Sequence, residues 1–408
     1  MLKMVDGTGI IGVDMVCPLG GTVSPPQPPN YDNIEMEGMG SLVLPNSLKA
    51  PLERVELTGN SVQGENPAPD NPQEIKSAGR FDEASGKYLF DVKVTGRNIF
   101  DINNYVGPIN KISESEFHTE AKWGTLIGDI NLKAGGKYNI SYTFEIDSIT
   151  NSDCGVRIKC TKSDGTVSYI YDLPKMTGYV CNYTKSAVVP VGTVKCEILL
   201  YTDVKLKIGG TFKKLMIAED SENVALNIYE PYTEQSMQIV LDEPLRGVGE
   251  YKDVLTKDEV VRKIKRVVLD GSEDEKWELS REHENHINFA LAIKGAITVN
   301  TGIRTMMDKF KYFGAIWNSD ILGQDMFGAT LRINMPKTLA TDLQTFKTWL
   351  SQNPLTVDYV LAEPATEPLP ESVQQQLQAL HSENGVTHVF VDSGEVPCGI
   401  KLTYRKEK

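Results

Sequence analysis

The chain is poor in the residues that do chemistry. Its 408 positions hold 5 histidines and 6 cysteines, and the cysteines form no CxxC. Positive charge is scarce too: 42 Lys and Arg against 55 Asp and Glu leave a formal net charge of −13. Neutralising phosphates takes clustered Lys and Arg, so nucleic acid and anionic lipid are not expected partners. One basic run, Arg262-Lys263-Ile264-Lys265-Arg266, is soon followed by the acidic residues of 270–275 and reads as a solvated helix end. No window approaches the roughly 18–20 apolar residues that a membrane helix requires, so no membrane insertion is expected. At the N-terminus Asp6 and Asp14 break the apolar stretch, and no cleavage site follows it. Synthesis in a cytoplasm without a signal peptide is the expectation.

Catalytic and metal-binding patterns fall away in turn. His283 and His286 make an H-x-x-H flanked by Glu282 and Glu284. On a helix they would share a face and could bind zinc; on a strand they point apart, and no third ligand stands at a fixed spacing. His118, His381 and His388 are isolated, and there is no G-x-S-x-G. Glycoside cleavage needs two carboxylates about 5–10 Å apart. With 55 acidic residues available nothing singles out such a pair, and Asp101, Asp129 and Asp172 merely sit near aromatic residues. Residues 7–12, GTGIIG, match G-x-G-x-x-G by letter only, because Asp6 and the prolines soon after do not suit a dinucleotide fold. The expectation is a protein that is not an enzyme and has no catalytic residues, metal or cofactor. Cys154, Cys160, Cys181 and Cys196 fall within one inferred β domain. They could form a disulfide under oxidising conditions or stay as buried free thiols. Cys17 and Cys398 lie outside that domain.

What the sequence does hold is β structure. With 40% hydrophobic and 24% charged residues it is ordinary globular material, and its length calls for two or three domains. Tyr138, Ile140, Tyr142, Phe144 and Ile146 alternate with polar residues, the period-2 mark of a strand with one buried face. Shorter candidates at 88–94, 156–161, 167–171, 194–201 and 204–208 are separated by turns such as Ser163-Asp164-Gly165. They make 86–235 a sandwich or jelly roll. Ahead of it, 1–50 reads as an extended N-terminal arm, and 51–85 as a strand plus a connector stiffened by Pro67, Pro69 and Pro72. After it, 236–265 reads as a linker. There Thr256 and Glu259 have capping-box spacing, which predicts a short helix over 257–265 with Val260, Val261 and Ile264 on one side. Residues 266–408 read as a second β-rich domain with two helices, one capped by Thr341 and ended by Asn353-Pro354, the other spanning 371–382. The expected fold class is mainly β: two β-sandwich or jelly-roll-like domains, a few short helices and an extended N-terminal arm.

Several phrases, taken in order, carry a family resemblance. They are GENPAPDNPQEI at 64–75, GRNIFD at 96–101, LKAGGKY at 132–138, YEPY at 229–232 and PLRGVGEYKDVL at 244–255, followed by DGSEDEKW at 270–277 and WLSQNPLTVDYVLAEP at 349–364. Together they resemble the tail, baseplate and fibre proteins of bacteriophages that infect Gram-positive bacteria, over most of 53–392. In that family the second phrase usually reads GKN-L-F, so Arg97 and Ile99 are conservative departures. The resemblance implies a carbohydrate-binding-module-like jelly roll over 86–235. It further implies a structural virion protein of a tail tip, baseplate or fibre, or of a phage-tail-like particle, acting in assembly and host-surface adhesion. Other tail or baseplate proteins would be its partners, a homo-oligomer its state, and host cell-wall glycan its ligand. A glycan-binding module of a bacterial surface or secreted protein is the alternative, and a glycosidase acting on host wall polymer is a third.

Sugars present C–H faces that stack on aromatic rings, so a jelly roll that binds glycan usually exposes an aromatic platform. Trp123, Tyr169, Tyr171, Tyr179 and Tyr183, in or beside inferred loops and short strands, are the candidates. The other reading places Tyr169 and Tyr171 together on one layer of the core.

Overall fold

The computed structural model describes residues 31–39, 41–47, 51–104, 109–120, 124–148, 151–202, 208–220, 228–314, 316, 320–383 and 385–407. Residues 1–30 of the expected arm, with Cys17 and the GTGIIG phrase, lie outside them. Alternation decides most of the elements. Along the strand Lys137–Ile146, Tyr138, Ile140, Tyr142, Phe144 and Ile146 are each at most 4% exposed, as one face of a pleated strand requires. Two antiparallel sheets close over that row. One runs in the order Val180–Val188, Lys137–Ile146, Gly210–Glu219, Glu116–Thr119, Ile109–Ser113; the other runs Thr125–Asp129, Thr193–Tyr201, Gly155–Lys162, Val167–Ile170. Phe144, Phe212 and Ile217 from the first meet Ile158, Cys160 and Ile198 from the second in one core. The chain is mainly β, with the packing of a β-sandwich or jelly roll.

This sandwich is an insertion. Strands Lys87–Thr95 and Glu234–Leu241 pair antiparallel, with Thr95 directly opposite Glu234, so the chain leaves for the sandwich and returns at adjacent positions of one ladder. The body it leaves, here called the base, is assembled from distant pieces of sequence. One base sheet runs Glu234–Leu241, Lys87–Thr95, Gly385–Asp392, Ser41–Ser47. The other runs Tyr31–Met39, Gly399–Glu407, Leu52–Thr58, Val254–Leu255, Glu259–Leu269, Leu355–Pro368, Thr305–Met307. Leu57, Phe90, Val94, Ile239, Leu255 and Leu402 belong to its core.

A second insertion uses the same device. Glu259–Leu269 pairs with Leu355–Pro368, Leu269 opposite Leu355, and 270–354 lie between them. That segment builds the sheet Glu278–Glu282, His286–Ala292, Thr330–Pro336, Gly323–Phe327. Helix α1, Leu343–Gln352, covers it: the Phe346 ring stacks on Phe289 at 3.9 Å between centroids and meets the edge of Trp277 at 4.9 Å. Its cap is Asp342, one residue after the expected Thr341, and Asn353 ends it as expected. Helix α2, Glu371–Ala379, follows Pro370, stops earlier than the expected 382 and buries Leu377 in the base.

These pairings redraw the expected boundaries. The strand Lys87–Thr95, counted with the sandwich in 86–235, belongs to the base. The stretch 236–265 is no linker: Leu241, Leu245, Val248, Leu255 and Val260 are buried in it. Nor does it hold the predicted short helix. Thr256 Oγ1 does accept from the amides of Asp258 and Glu259, at 3.3 and 3.2 Å, but as the turn of a hairpin in which Val254 faces Val261. The strand Glu259–Leu269 then buries Val260, Arg262 and Ile264 at alternate positions. The basic run is therefore not a solvated helix end. Arg262 is 4% exposed and pairs with Asp253 and Glu367, while Arg266 holds the fully buried Asp358 at 2.7 and 2.9 Å. Strands Tyr31–Met39 and Ser41–Ser47 of the arm are woven into the two base sheets, opposite Gly399–Glu407 and Gly385–Asp392 respectively.

The Pro-rich connector bolts the base to the second insertion. Gln73 N donates to Asp308 O at 2.7 Å, Gln63 Nε2 donates to Met307 O, and Arg266 Nη2 donates to Ile75 O at 3.0 Å.

The insertion geometry makes an expected result. Because Thr95 and Glu234 face each other, removing 96–233 and joining them through an Asn-Gly turn completes an ordinary hairpin. Circular dichroism and urea titration should find the shortened protein β-rich, with a cooperative transition. A shortened protein without one would mean that the base needs the sandwich in order to fold.

Candidate functional site

The four aromatic candidates among the described residues do not form a platform. Tyr171 has φ +69°, the left-handed region, just past the strand Val167–Ile170. That turn sends its ring into the core, where its hydroxyl donates to Tyr138 O at 3.0 Å. Tyr183 is core as well: its ring stacks on Tyr142 at 5.0 Å, its hydroxyl donates to Asp172 O at 2.6 Å, and burial pushes its phenol up to about 12. Tyr169 is 52% exposed opposite Lys159 in one sheet. Tyr179 is 57% exposed at the start of Val180–Val188 in the other. Trp123 lies outside the described residues.

The H-x-x-H pair flanks a turn. His283 N donates to His286 O at 2.9 Å, and His286 Nδ1 lies 2.9 Å from Asp320. Desolvation works against the Asp320 carboxylate, yet hydrogen bonds from His286 and Asn285 hold its pKa down to about 2. Among the described residues no group of three or more His, Cys, Asp or Glu could hold a metal ion.

The notable geometry is at the neck of the inserted sandwich, where the GRNIFD and YEPY phrases meet. Asn98, 1% exposed, spends its whole amide there. Its Nδ2 donates to Glu230 O at 3.1 Å and Leu215 O at 3.4 Å, and its Oδ1 accepts from Phe100 N at 3.0 Å and Ile217 N at 3.2 Å. All four of its hydrogen-bonding places are filled, so one side chain ties the entering chain to the leaving one. Arg97 is also 1% exposed, with Nη1 3.6 Å from Glu230. Gly96 allows the close approach, since a Cβ there would meet Thr233 Oγ1 at 2.5 Å.

Beside the neck, a cleft of about 350 Å³ opens between the base sheet and the sandwich. Asp91, Lys93, Thr95, Phe390 and Asp392 line it from the base; Ile99, Asp101, Asn104, Asp129, Ile130 and Asn131 line it from the sandwich, with Tyr232 between. A smaller hollow of about 130 Å³ shares Asp101 and Tyr232. The carboxylates are mostly engaged: Asp91 with Arg80 and Gln238, Asp129 with Lys195, and Asp101 with Asn103. Thr95 is 2% exposed, and its hydroxyl has no hydrogen-bond partner among the described residues. Carboxylates and amides set beside two rings suit a hydroxyl-rich ligand better than a charged or apolar one. Asp101 and Asp129 had drawn notice in the sequence as acidic residues near aromatics. The cleft itself was hidden there, because it is shared by segments from four parts of the chain.

His388 sits opposite Thr95 at this neck, 3% exposed, and burial pushes its imidazole down to about 4 from 6.5. The unfolded chain therefore binds a proton between pH 6.5 and 4 that the folded chain does not. Stability from this group is complete above 6.5 and is lost as the pH falls, at about 1.4 kcal/mol per pH unit. Urea titrations across that window should find the slope reduced by about this amount in His388→Asn. An unchanged slope would mean that His388 is not buried neutral.

No protein-family model matches the chain, and no curated protein matches it. Among solved structures it is similar to a mutant VP2 protein of Infectious Bursal Disease Virus in T=1 particles. The identity is 9% and the TM-score 0.17, over 92% of this chain and 77% of that one. A chain from the structure of the infectious bursal disease virus Gx strain gives 8% identity and a TM-score of 0.15, over 95% of this chain and 84% of that one. At such TM-scores the likeness carries no weight for fold or role.

Proposed function

We propose that this chain is a structural protein of a bacteriophage tail tip, baseplate or fibre, or of a phage-tail-like particle, working by assembly and adhesion without turnover. The observation that carries the reading is the insertion. A β-sandwich stands on a neck sealed by Asn98 and Glu230, residues of two phrases that resemble tail proteins, above a base made of both ends of the described chain. Such a body presents one module outward while another builds into a particle. Exposed apolar side chains on the second insertion supply contact surface for neighbouring copies or other tail proteins. Ile303 and Phe313, on loops, and Phe327, at the end of the strand Gly323–Phe327, are 45, 43 and 58% exposed, and Tyr312 OH to Gly302 O and Gly328 N to Asn300 Oδ1 tie their segments together.

The neck cleft is the adhesive element of this reading, with host wall glycan as its ligand. Antibody against 96–233 should label one end of the tail in purified particles by immunogold microscopy; label absent from particles would refute the virion role. Separately, the purified full chain should bind host wall polysaccharide, and Asn131→Ala or Asp129→Ala should weaken binding about tenfold, or about 1.4 kcal/mol. Binding without particle label would instead favour a glycan-binding module of a bacterial surface or secreted protein, which the same cleft would serve.

A further inference from the structure

The inner face of the sandwich sets two cysteines against each other. Strands Gly155–Lys162 and Thr193–Tyr201 pair antiparallel, with Cys160 directly opposite Cys196. The Cys196 carbonyl faces away from that partner, accepting from Ile130 N at 2.9 Å. In an antiparallel ladder a residue's N–H and C=O point to the same side. Cys160 and Cys196 are therefore a non-hydrogen-bonded pair, the close class with Cα atoms about 4.5 Å apart. That falls within the roughly 4.4–6.8 Å that a disulfide spans. The two Sγ atoms are 3.9 Å apart, Cys196 donating to Cys160. Closing the bond asks for side-chain rotation rather than backbone movement.

We propose that Cys160 and Cys196 form a cross-strand disulfide when the protein meets an oxidant of the small-molecule disulfide class, latching the sandwich covalently. With oxidised glutathione, the Cys160 thiolate attacks one glutathione sulfur, forming a mixed disulfide and expelling the first glutathione thiolate. The Cys196 thiolate then attacks the Cys160 sulfur, forming the bridge and expelling the second. Both cysteines are oxidised, one glutathione disulfide is reduced to two thiols, and the two cysteine protons end on the leaving thiolates. The order follows from the hydrogen bond between them. It lowers the pKa of Cys160, while the same bond and burial raise that of Cys196. Cys160 is thus the attacking group. The bridge closes a loop that carries Val180–Val188 across to the opposite sheet, so it restrains both sheets at once. Cys160 is 0% and Cys196 4% exposed, so the reaction passes through transient opening of these strands.

The full chain is incubated with oxidised glutathione in sub-denaturing urea, alkylated with iodoacetamide under denaturing conditions and mapped by mass spectrometry. The expected result is a peptide pair joined through Cys160 and Cys196 and released by dithiothreitol, with the urea midpoint shifted upward in the oxidised protein and restored on reduction. Alkylation of both residues, separate glutathione adducts on them, or a bridge from either to Cys154 or Cys181 would overturn the proposal.

Discussion

Replacing Asp253 with alanine is expected to destabilise the protein by about 3–5 kcal/mol, the usual cost of removing one partner of a buried ion pair. Asp253 is 0% exposed and sits against a break in the ladder between Glu259–Leu269 and Leu355–Pro368, where the register shifts between Arg262 and Ile264. Its Oδ1 accepts from Lys263 N at 2.7 Å and Ile264 N at 3.0 Å. Its Oδ2 accepts from Arg246 N at 3.0 Å and lies 3.5 Å from Arg262 Nη1. Alanine would leave buried amides unsatisfied and remove a carboxylate from the buried Arg262 guanidinium. Glu367, the other partner of Arg262, is half exposed, so Glu367→Ala should cost no more than about 1 kcal/mol. Urea titration of both variants is the check. Similar small losses would mean that Asp253 is not the group that holds the irregular ladder.

Phe144→Ala should cost a comparable amount, about 3–5 kcal/mol, but in the sandwich. Phe144 is 0% exposed, and its ring lies 4.4 Å from that of Phe212, which in turn packs on Phe117 and Tyr142. A cavity there removes contacts from both sheets. Thr143, next along the strand, points outward and hydrogen-bonds Asn182 at 2.7 Å in a solvated position. Thr143→Ala should stay within about 0.5 kcal/mol. Equal losses at the two positions would contradict the one-sided burial of Lys137–Ile146.

The strands with one clean apolar face were legible in the sequence because their large apolar residues recur at every second position, as Tyr138, Ile140, Tyr142, Phe144 and Ile146 do. Glu259–Leu269 was not, because Arg262 occupies an inward position. A buried arginine does not register in an apolar pattern, and the remaining Val260, Val261 and Ile264 fit a helix equally well. Local chemistry could not arbitrate, since the Thr256 hydroxyl satisfies two amides in a hairpin turn much as it would in a helix cap. The insertions were invisible for another reason. Thr95 pairs with Glu234 only in three dimensions, and nothing in either neighbourhood announces a partner so far along the chain. The GRNIFD and YEPY phrases marked that junction, although as a resemblance rather than as a pairing. The reading that placed Tyr169 and Tyr171 together on one layer of the core depended on strand alternation continuing through Tyr171, which its left-handed backbone breaks.

The division of labour between base and sandwich can be tested in one measurement: adsorption of particles built with the chain lacking 96–233, Thr95 joined to Glu234 through Asn-Gly. The account expects such particles to assemble and to contain the shortened chain, while their adsorption rate to host cells falls severalfold or more. Unchanged adsorption, or particles that assemble normally without the chain, would contradict it.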